Sequence, residues 1–374
     1  MRTRAAVLHE SPGSWSVEEV LLDAPQEGEI LVEMVATGLC HSDDHIATGD
    51  MPATHLPIVA GHEGAGIVRE LGPEVKGLEI GDHVLTSFIP ACGQCRWCAG
   101  GMQNLCDRGA LIMQGHQLDG TFRMHTSDGR DIGTAGLLGT FAEFQVFDQQ
   151  SVIKIEKDIA LEIACLVACG VQTGFGSASE AGAVRPGDTV LVVGVGGIGM
   201  NAVQGASAAG AAHIIAADPV AQKKRWALEF GATESHDSIT ASMERILHLT
   251  NGQGADVVIL CPGVVTNALL GESYEAVRKA GTLVVTGIGR ESEEAVIPGL
   301  NANALALPQK RIQGALYGMK SPRQAMPMLL DMYRAGKLIL DDLVTATYTL
   351  DQINQGFDDM RRGRNIRGVI HFAQ

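Results

Sequence analysis

Thr189-Val190-Leu191-Val192-Val193-Gly194-Val195-Gly196-Gly197-Ile198-Gly199, followed by the small and apolar run from Met200 to Ala209, decides the fold. The five residues before Gly194 read as a buried strand, the glycines as a tight turn, and the Ala-rich run as a buried helix. In this Gly-x-Gly-x-x-Gly pattern Gly194 permits the turn, Gly196 lets backbone approach a pyrophosphate, and Gly199 packs helix on strand. Gly197 and Ile198 lie at the start of the helix, whose N-terminus offers unpaired N–H groups and partial positive charge to phosphate. The glycine pattern alone is weak, but here it has a strand before it, a helix after it, and an acid at the next strand end. That acid is Asp218, nineteen residues after Gly199. Its carboxylate can accept both ribose hydroxyls and repels a 2′-phosphate, so NAD rather than NADP is expected. The bland alternative is a glycine turn in an unrelated α/β protein, with Asp218 a simple cap. Lys223, on the following helix, is either a ribose partner or an ordinary surface lysine.

Working outward, Ala211–Ala217, Ala255–Leu260 and Gly281–Gly287 read as strands, with helices over Ala221–Phe230 and around Leu269–Lys279. This alternation predicts right-handed βαβ units and a parallel sheet. The first 170 residues differ in character. Turn pairs such as Gly72-Pro73, Gly81-Asp82, Asp119-Gly120 and Asp128-Gly129 separate short runs including Ile30–Val35, Gly66–Glu70 and His83–Thr86. They predict a β-rich, partly barrel-like domain. Beyond residue 314 come a helix, Ser321–Ala335, and strands Thr345–Leu350 and Gly368–Phe372, read as a return to the first domain. The expected class is therefore α/β: a Rossmann doubly wound parallel sheet over 172–314, inserted in a β-rich domain made of 1–171 and 315–374. The stretch Leu111–Leu138 is not assigned to elements.

Composition narrows the function. The chain has 374 residues, 45% hydrophobic and 19% charged, with 28 basic against 43 acidic residues and a net charge of −15. That field disfavours nucleic acid and anionic membrane surfaces as partners. No apolar run reaches the ~18–20 residues of a transmembrane helix. Met1–Arg4 followed by Ala5–Leu8 reads as a first strand rather than a signal peptide, so a cytoplasmic enzyme is expected.

Eight cysteines lie at 40, 92, 95, 98, 106, 165, 169 and 261. In a long chain without an export signal, metal binding is a better expectation than a disulfide framework. Cys92, Cys95, Cys98 and Cys106 form a compact four-thiolate set suited to a closed, tetrahedral structural zinc, the alternatives being an iron–sulfur cluster or unrelated cysteines. Cys40, the His62-Glu63 pair and Cys169 are scattered, and each alone is bland. Together, two thiolates and an imidazole would leave a fourth position open, as catalytic zinc requires. Cys165 and Cys261 read as buried packing residues.

The chain resembles the zinc-dependent medium-chain alcohol dehydrogenases over essentially its whole length. The resemblance rests on Gly38-Leu39-Cys40-His41-Ser42-Asp43, Gly61-His62-Glu63-Gly64-Ala65-Gly66, the Cys92–Cys106 set, Cys169-Gly170-Val171-Gln172-Thr173-Gly174 and Gly194–Gly199. It implies a GroES-like catalytic domain, catalytic zinc on Cys40, His62 and Cys169 with Glu63 beside the metal, and structural zinc on the four clustered cysteines. The implied reaction is oxidation of an alcohol to an aldehyde or ketone, zinc lowering the pKa of the alcohol and NAD taking the hydride. By the same resemblance Ser42 and His45 form a proton relay, and Asp43 orients a metal-ligating histidine. His41 stands where relatives often carry an arginine against the pyrophosphate. Arg367 matches a C-terminal phosphate-binding arginine, and Phe88 and Phe141 align with the substrate channel. The plain readings of these positions are a turn residue for Ser42, a solvent-facing imidazole for His45, a surface arginine for Arg367 and core for the two phenylalanines.

A narrower resemblance, to the actinobacterial nicotinoprotein alcohol dehydrogenases, rests on Thr86–Cys92, Gly101–Ala110 and Gly196–Gly205. It implies non-exchangeable NAD(H), recycled by an external acceptor such as a nitroso dye, with a mycofactocin-like redox partner. Three alternatives stay open: a dehydrogenase with exchangeable NAD, a thiol-dependent formaldehyde dehydrogenase of the same fold, and a dinucleotide-binding structural or sensor protein. Family habit implies a homodimer or homotetramer, with Asn301–Gly314 the candidate segment for continuing a sheet across a twofold axis.

Overall fold

The computed structural model describes residues 1–290 and 292–372, which divide into two compact units. The first comprises Met1–Cys169, Ser321–Ala335 and the chain from Leu340 onward; the second comprises Gly170–Lys320 and Gly336–Ile339. Relative to the expected 172–314 interval, the second unit gains two residues at its start, six at its end and the separate Gly336–Ile339 stretch. The Rossmann unit is thus an insertion in the β-rich one, and the fold is α/β.

In the second unit six parallel strands lie in the order Glu234–His236, His213–Ala217, Thr189–Val193, Ala255–Leu260, Val277–Val285 and Arg311–Gly314. The order reverses direction at Thr189–Val193, the doubly wound arrangement whose crevice receives ligands at the strand ends. Thr189–Val193 is buried throughout, as expected of a strand covered on both faces. Two details differ from expectation. The helix expected around Leu269–Lys279 ends at Ala276, and Val277 opens a strand that bulges between its pairing with Ala255 and that of Thr282 with Val257. The helix Ile239–Leu249, capped by Ser238 Oγ on the Ala241 amide at 3.1 Å, was not marked by any glycine or proline signal.

In the first unit Arg2–Leu8, Ser16–Leu22, Met124–His125, Asp131–Thr134 and Ile58–Val59 close a small barrel. Two of these strands lie in the unassigned Leu111–Leu138 stretch. Arg123, immediately before Met124, is buried and grips both carboxylate oxygens of Glu29 at 2.8 Å, which ties the stretch to the adjoining sheet. That second sheet is built around the long strand Glu29–Gly38, which pairs with Glu63–Leu71, Phe144–Asp148 and Arg367–His371. At its end Gly38 lies opposite Glu63 on one side and Val369 on the other, so segments 25 and more than 300 residues away meet just before Cys40. The short helix His41–Thr48 follows directly. Among the described residues no single helix is long and apolar enough to cross a membrane.

Candidate active site

Gly38 shows why this corner is built as it is. A Cβ there would sit 2.1 Å from a Glu63 carboxylate oxygen and 3.1 Å from Arg367 Nη2, so only glycine lets the two acid- and base-bearing strands close on the strand end. Cys40 then stands at the N-cap position of the helix His41–Thr48, His62 immediately precedes the neighbouring strand that Glu63 begins, and Cys169 follows the turn Cys165–Ala168. Donor atoms of Cys40, His62, Glu63 and Cys169 all lie within 4.8 Å of one another, and all four residues are buried.

The set is prepared for a cation. Asp43 Oδ1 accepts from the Gly61 amide at 2.9 Å and lies 3.1 Å from His62 Nδ1. A carboxylate accepts only, so this contact places the imidazole proton on Nδ1 and leaves the Nε2 lone pair for a ligand. A hydrogen bond from Cys169, with His62 close by, holds the Cys40 thiol well below its usual range despite burial, while the same bond and burial push Cys169 well above. Burial pushes the Glu63 carboxyl up to about 7 against the opposing pull of Arg367. Two soft sulfurs, one oriented imidazole and a neighbouring carboxylate, sealed from water, fit zinc by the chemistry of the donor set.

Around this centre the expected residues fall into place unevenly. Ser42 Oγ is 3.8 Å from Cys40 Sγ, and Ser42 and His45 stand three residues apart on one short helix, hence on neighbouring positions of one face. His45 is buried with Nδ1 3.2 Å from Asp50 Oδ2, so it is not a solvent-facing imidazole. The His41 ring centroid is 6.4 Å from that of His45. Phe88 stands edge-on to His62 at 5.6 Å, beside the donor set. Phe141 does not: it is fully buried in the core, its ring 5.7 Å from Trp15 and 5.9 Å from Phe357, and is corrected to a packing residue. Arg367 is buried, so it is not a surface arginine. Its guanidinium is buried, with Nη2 bonded to Glu63 Oε2 and donating to the Leu39 carbonyl at 3.2 Å. This pairing sets its positive charge against Glu63.

Two features went unnoticed in the sequence. Gly136 and Leu137 both adopt left-handed backbone, with φ of 67° and 61°, and a Cβ on Gly136 would lie 3.4 Å from Phe88 and 3.7 Å from His62. This turn walls the donor set; Gly136 was the only local signal. Asp44 is held by the Arg361 guanidinium, with Nε at 3.1 Å from both oxygens, which fixes the His41–Thr48 helix against the helix Ile353–Arg361. A 317-residue separation carries no sequence signal.

The second metal candidate is local. Donor sulfurs of Cys92, Cys95, Cys98 and Cys106 also lie within 4.8 Å of one another. Amides of Cys95 and Cys98 approach the sulfurs of Cys92 and Cys95 at 3.4 and 3.5 Å, the arrangement that stabilises thiolates in a zinc-holding turn. Backbone donors bring Cys95 down to about 6, whereas burial pushes Cys98 up to about 12. Among the described residues no other donor side chain joins the four thiols, and such a set suits a structural ion. Cys165 bonds the Glu162 carbonyl at 3.3 Å and Cys261 is buried, pushed up to about 12; neither joins a donor group.

In the second unit the glycines divide their tasks as the pattern implies. Gly194 has φ of 81°, and a Cβ on Gly199 would meet the Gly194 carbonyl at 2.0 Å. At Gly196 a Cβ would meet nothing within 4 Å, so this backbone faces open space that a phosphate can enter. Asp218 is buried beside the turn, Oδ2 accepting from the Val195 amide at 3.0 Å and Oδ1 from the Val220 amide at 2.9 Å. It therefore braces the turn and keeps lone pairs for a ribose. Gly197 and Ile198 form the first turn of the helix Gly197–Ala208, and Lys223 lies, half-buried, in the first turn of the helix Ala221–Glu229.

Residues 26–157 match the alcohol dehydrogenase GroES-like domain and residues 197–334 the zinc-binding dehydrogenase domain. The chain is 46% identical over 370 residues, 99% of both chains, to the NDMA-dependent alcohol dehydrogenase of Amycolatopsis methanolica. The chain belongs to the zinc-dependent medium-chain alcohol dehydrogenase family. Alcohol dehydrogenase B of Mycobacterium tuberculosis is 46% identical over 374 residues, covering 100% of this chain and 99% of its own. Among solved structures, the benzyl alcohol dehydrogenase of Acinetobacter calcoaceticus matches with a TM-score of 0.90 at 29% identity, covering 100% of both chains. An alcohol dehydrogenase zinc-binding domain protein of Burkholderia ambifaria matches with a TM-score of 0.92 at 33% identity, again over 100% of both chains. Two donor sets, one of four cysteines and one of Cys40, His62, Glu63 and Cys169, thus occur in one chain of this family.

Proposed function

We propose that this dehydrogenase oxidises an alcohol to an aldehyde or ketone, using NAD on the Gly194–Gly199 turn and two zinc ions, one at Cys40, His62 and Cys169 and one at the four clustered cysteines. The observation that carries the reading is the convergence of two buried thiols on an imidazole whose proton Asp43 holds away from them. A zinc ion there supplies Lewis acidity that makes an alcohol hydroxyl acidic near neutral pH. The chain's own residues do the rest. Ser42 receives the alcohol proton and His45 carries it onward, with Asp50 fixing the His45 ring. Glu63 and Arg367 cancel one another's charge beneath the site, and the Gly136-Leu137 turn and Phe88 exclude water. Asp218 selects a free 2′-hydroxyl on the cofactor ribose.

The same reading extends to a tightly held NAD(H) that passes its electrons to an external, mycofactocin-like acceptor, as supported by the 46% identity to an NDMA-dependent relative over the full length. Assembly follows from the sheet edge. Arg311–Gly314 is the last strand, Ile312 is exposed, and nearby Leu307 is 80% exposed, so pairing of two such edges in a homodimer or within a homotetramer is expected.

The deciding experiment is to desalt the purified protein thoroughly, denature it, and assay the supernatant for dinucleotide and zinc. Near one NAD(H) and two zinc per chain is the expected result. Two zinc without dinucleotide would replace retained NAD(H) with freely exchanging NAD, and no zinc would overturn the chemistry.

A further inference from the structure

The helix that carries the glycine turn also carries two carboxamides with an uncommon set of partners. Gln204 Oε1 accepts from the Ile339 amide at 2.8 Å, and its Nε2 donates to the Ile339 carbonyl at 3.0 Å. The side chain thus pairs with both main-chain groups of one residue, as a neighbouring strand would. Nε2 donates in addition to Asn201 Oδ1 at 3.0 Å, and Asn201 Nδ2 donates to the Gly197 carbonyl at 2.8 Å. Both side chains are buried, and every oxygen and nitrogen of the two carboxamides is engaged.

The two ends of this chain of bonds are informative. Gly197 is the first residue of the helix, inside the glycine turn. Ile339 closes the four-residue stretch Gly336–Ile339, which packs in the second unit although Ser321–Ala335 before it and the chain from Leu340 after it belong to the first. Packing alone would be served by an apolar residue at 204. A carboxamide pair instead gives a directional bond to a connection that is itself partly exposed, Ile339 being 37% accessible, so water can take over its main-chain groups when the bond opens. The Asn201 bond adds a second donor to the Gly197 carbonyl and keeps the first helical turn wound, with its free N–H groups aligned.

We propose that Asn201 and Gln204 form a latch between the Gly336–Ile339 connection and the glycine turn, and that this latch slows release of the dinucleotide. The inference rests on the dinucleotide sitting at Gly194–Gly199, and not on its being retained through turnover. Both residues act as positioning residues, through the turn rather than on the ligand.

The test uses the full chain loaded with NADH. Release is followed by NADH fluorescence on rapid dilution for the parent, Gln204→Met, Gln204→Glu and Asn201→Ala, and amide hydrogen exchange is read at 195–201 and at 339. Losing one or two net hydrogen bonds should speed release by about fivefold or more in Gln204→Met. Gln204→Glu keeps an acceptor for the Ile339 amide but sets a carboxylate oxygen against the Ile339 carbonyl and Asn201 Oδ1, so it should speed release at least as much, and zinc content should stay at the parental value. Exchange should rise at Ile339 and in the glycine turn together. Release within twofold of the parent in all three variants would overturn the latch, as would exchange that rises at Ile339 alone. A parent that holds no dinucleotide after desalting counts against the retained-NAD reading only, because the ratio of release rates is still measured.

Discussion

Oδ1 of Asp43 lies 3.1 Å from Nδ1 of His62 and 2.9 Å from the Gly61 amide, so one carboxylate oxygen fixes both the tautomer of the imidazole and the turn that presents it. Replacing it leaves the ring free to rotate and lowers its basicity as a ligand. Asp43→Ala should weaken zinc binding at the Cys40 centre about 10–100-fold. Competition with a chromogenic chelator measures this, and unchanged affinity would remove Asp43 from that role.

Cys40→Ser and His62→Ala should each abolish turnover while the circular dichroism spectrum and the zinc of the Cys92–Cys106 set persist. Zinc counted per chain should fall from two to one. Turnover in a variant verified to have lost that ion would refute the assignment of the catalytic centre.

Asp218 braces the Val195 amide and, in the proposed reading, binds the cofactor ribose. Asp218→Gly should weaken NAD binding and relax discrimination against NADP, so that the ratio of the two dissociation constants shifts toward NADP by at least about tenfold, the size expected when one charge repulsion is lifted. A preserved ratio would show that the carboxylate only braces the turn.

The two phenylalanines should separate cleanly. Phe141 sits in the core with Trp15 and Phe357, so Phe141→Ala should cost about 3–5 kcal/mol of stability. Phe88 borders His62, so Phe88→Ala should change the KM for bulky alcohols more than the thermal midpoint. Equal stability losses would place Phe88 in the core as well.

Asp119 offers a pH test. Burial alone would raise its carboxyl, but Arg123 and the amide and hydroxyl of Thr121 hold it down to about 2. An unfolded aspartate titrates near ~3.9, so the folded value is depressed. The stabilisation is therefore present above about pH 4 and is lost as the pH falls toward 2. With half of the side chain in water, its size should be only about 0.5–1 kcal/mol. Asp119→Asn, which keeps an acceptor for the Thr121 amide, should lower the thermal midpoint slightly at pH 7 and converge with the parent as the pH approaches 2. A difference that stays constant with pH would assign the effect to geometry and not to charge.

What could be read along the chain is what is made of near neighbours. The glycine turn needs a strand, three glycines and a helix within some twenty residues, and the four-thiolate set spans Cys92 to Cys106. Both are local, so residue type and spacing specify them. The scattered donors were identified through motif resemblance rather than spacing, because Cys40, His62 and Cys169 meet only through the pairing register of Glu29–Gly38 with Glu63–Leu71 and the packing of the Cys165–Ala168 turn. The core place of Phe141 and the pairing of Arg367 with Glu63 were not legible for the same reason: burial against Trp15 and against Glu63 is a property of the assembled sheets, and neither residue type announces it. The bond from Gln204 to Ile339 joins positions 135 apart and depends on where a four-residue connection packs. Chemistry carried by contiguous residues was thus determined by the sequence itself. Which distant groups share a charge, a proton or a hydrogen bond was decided by the tertiary structure, since those energies depend on distance and burial.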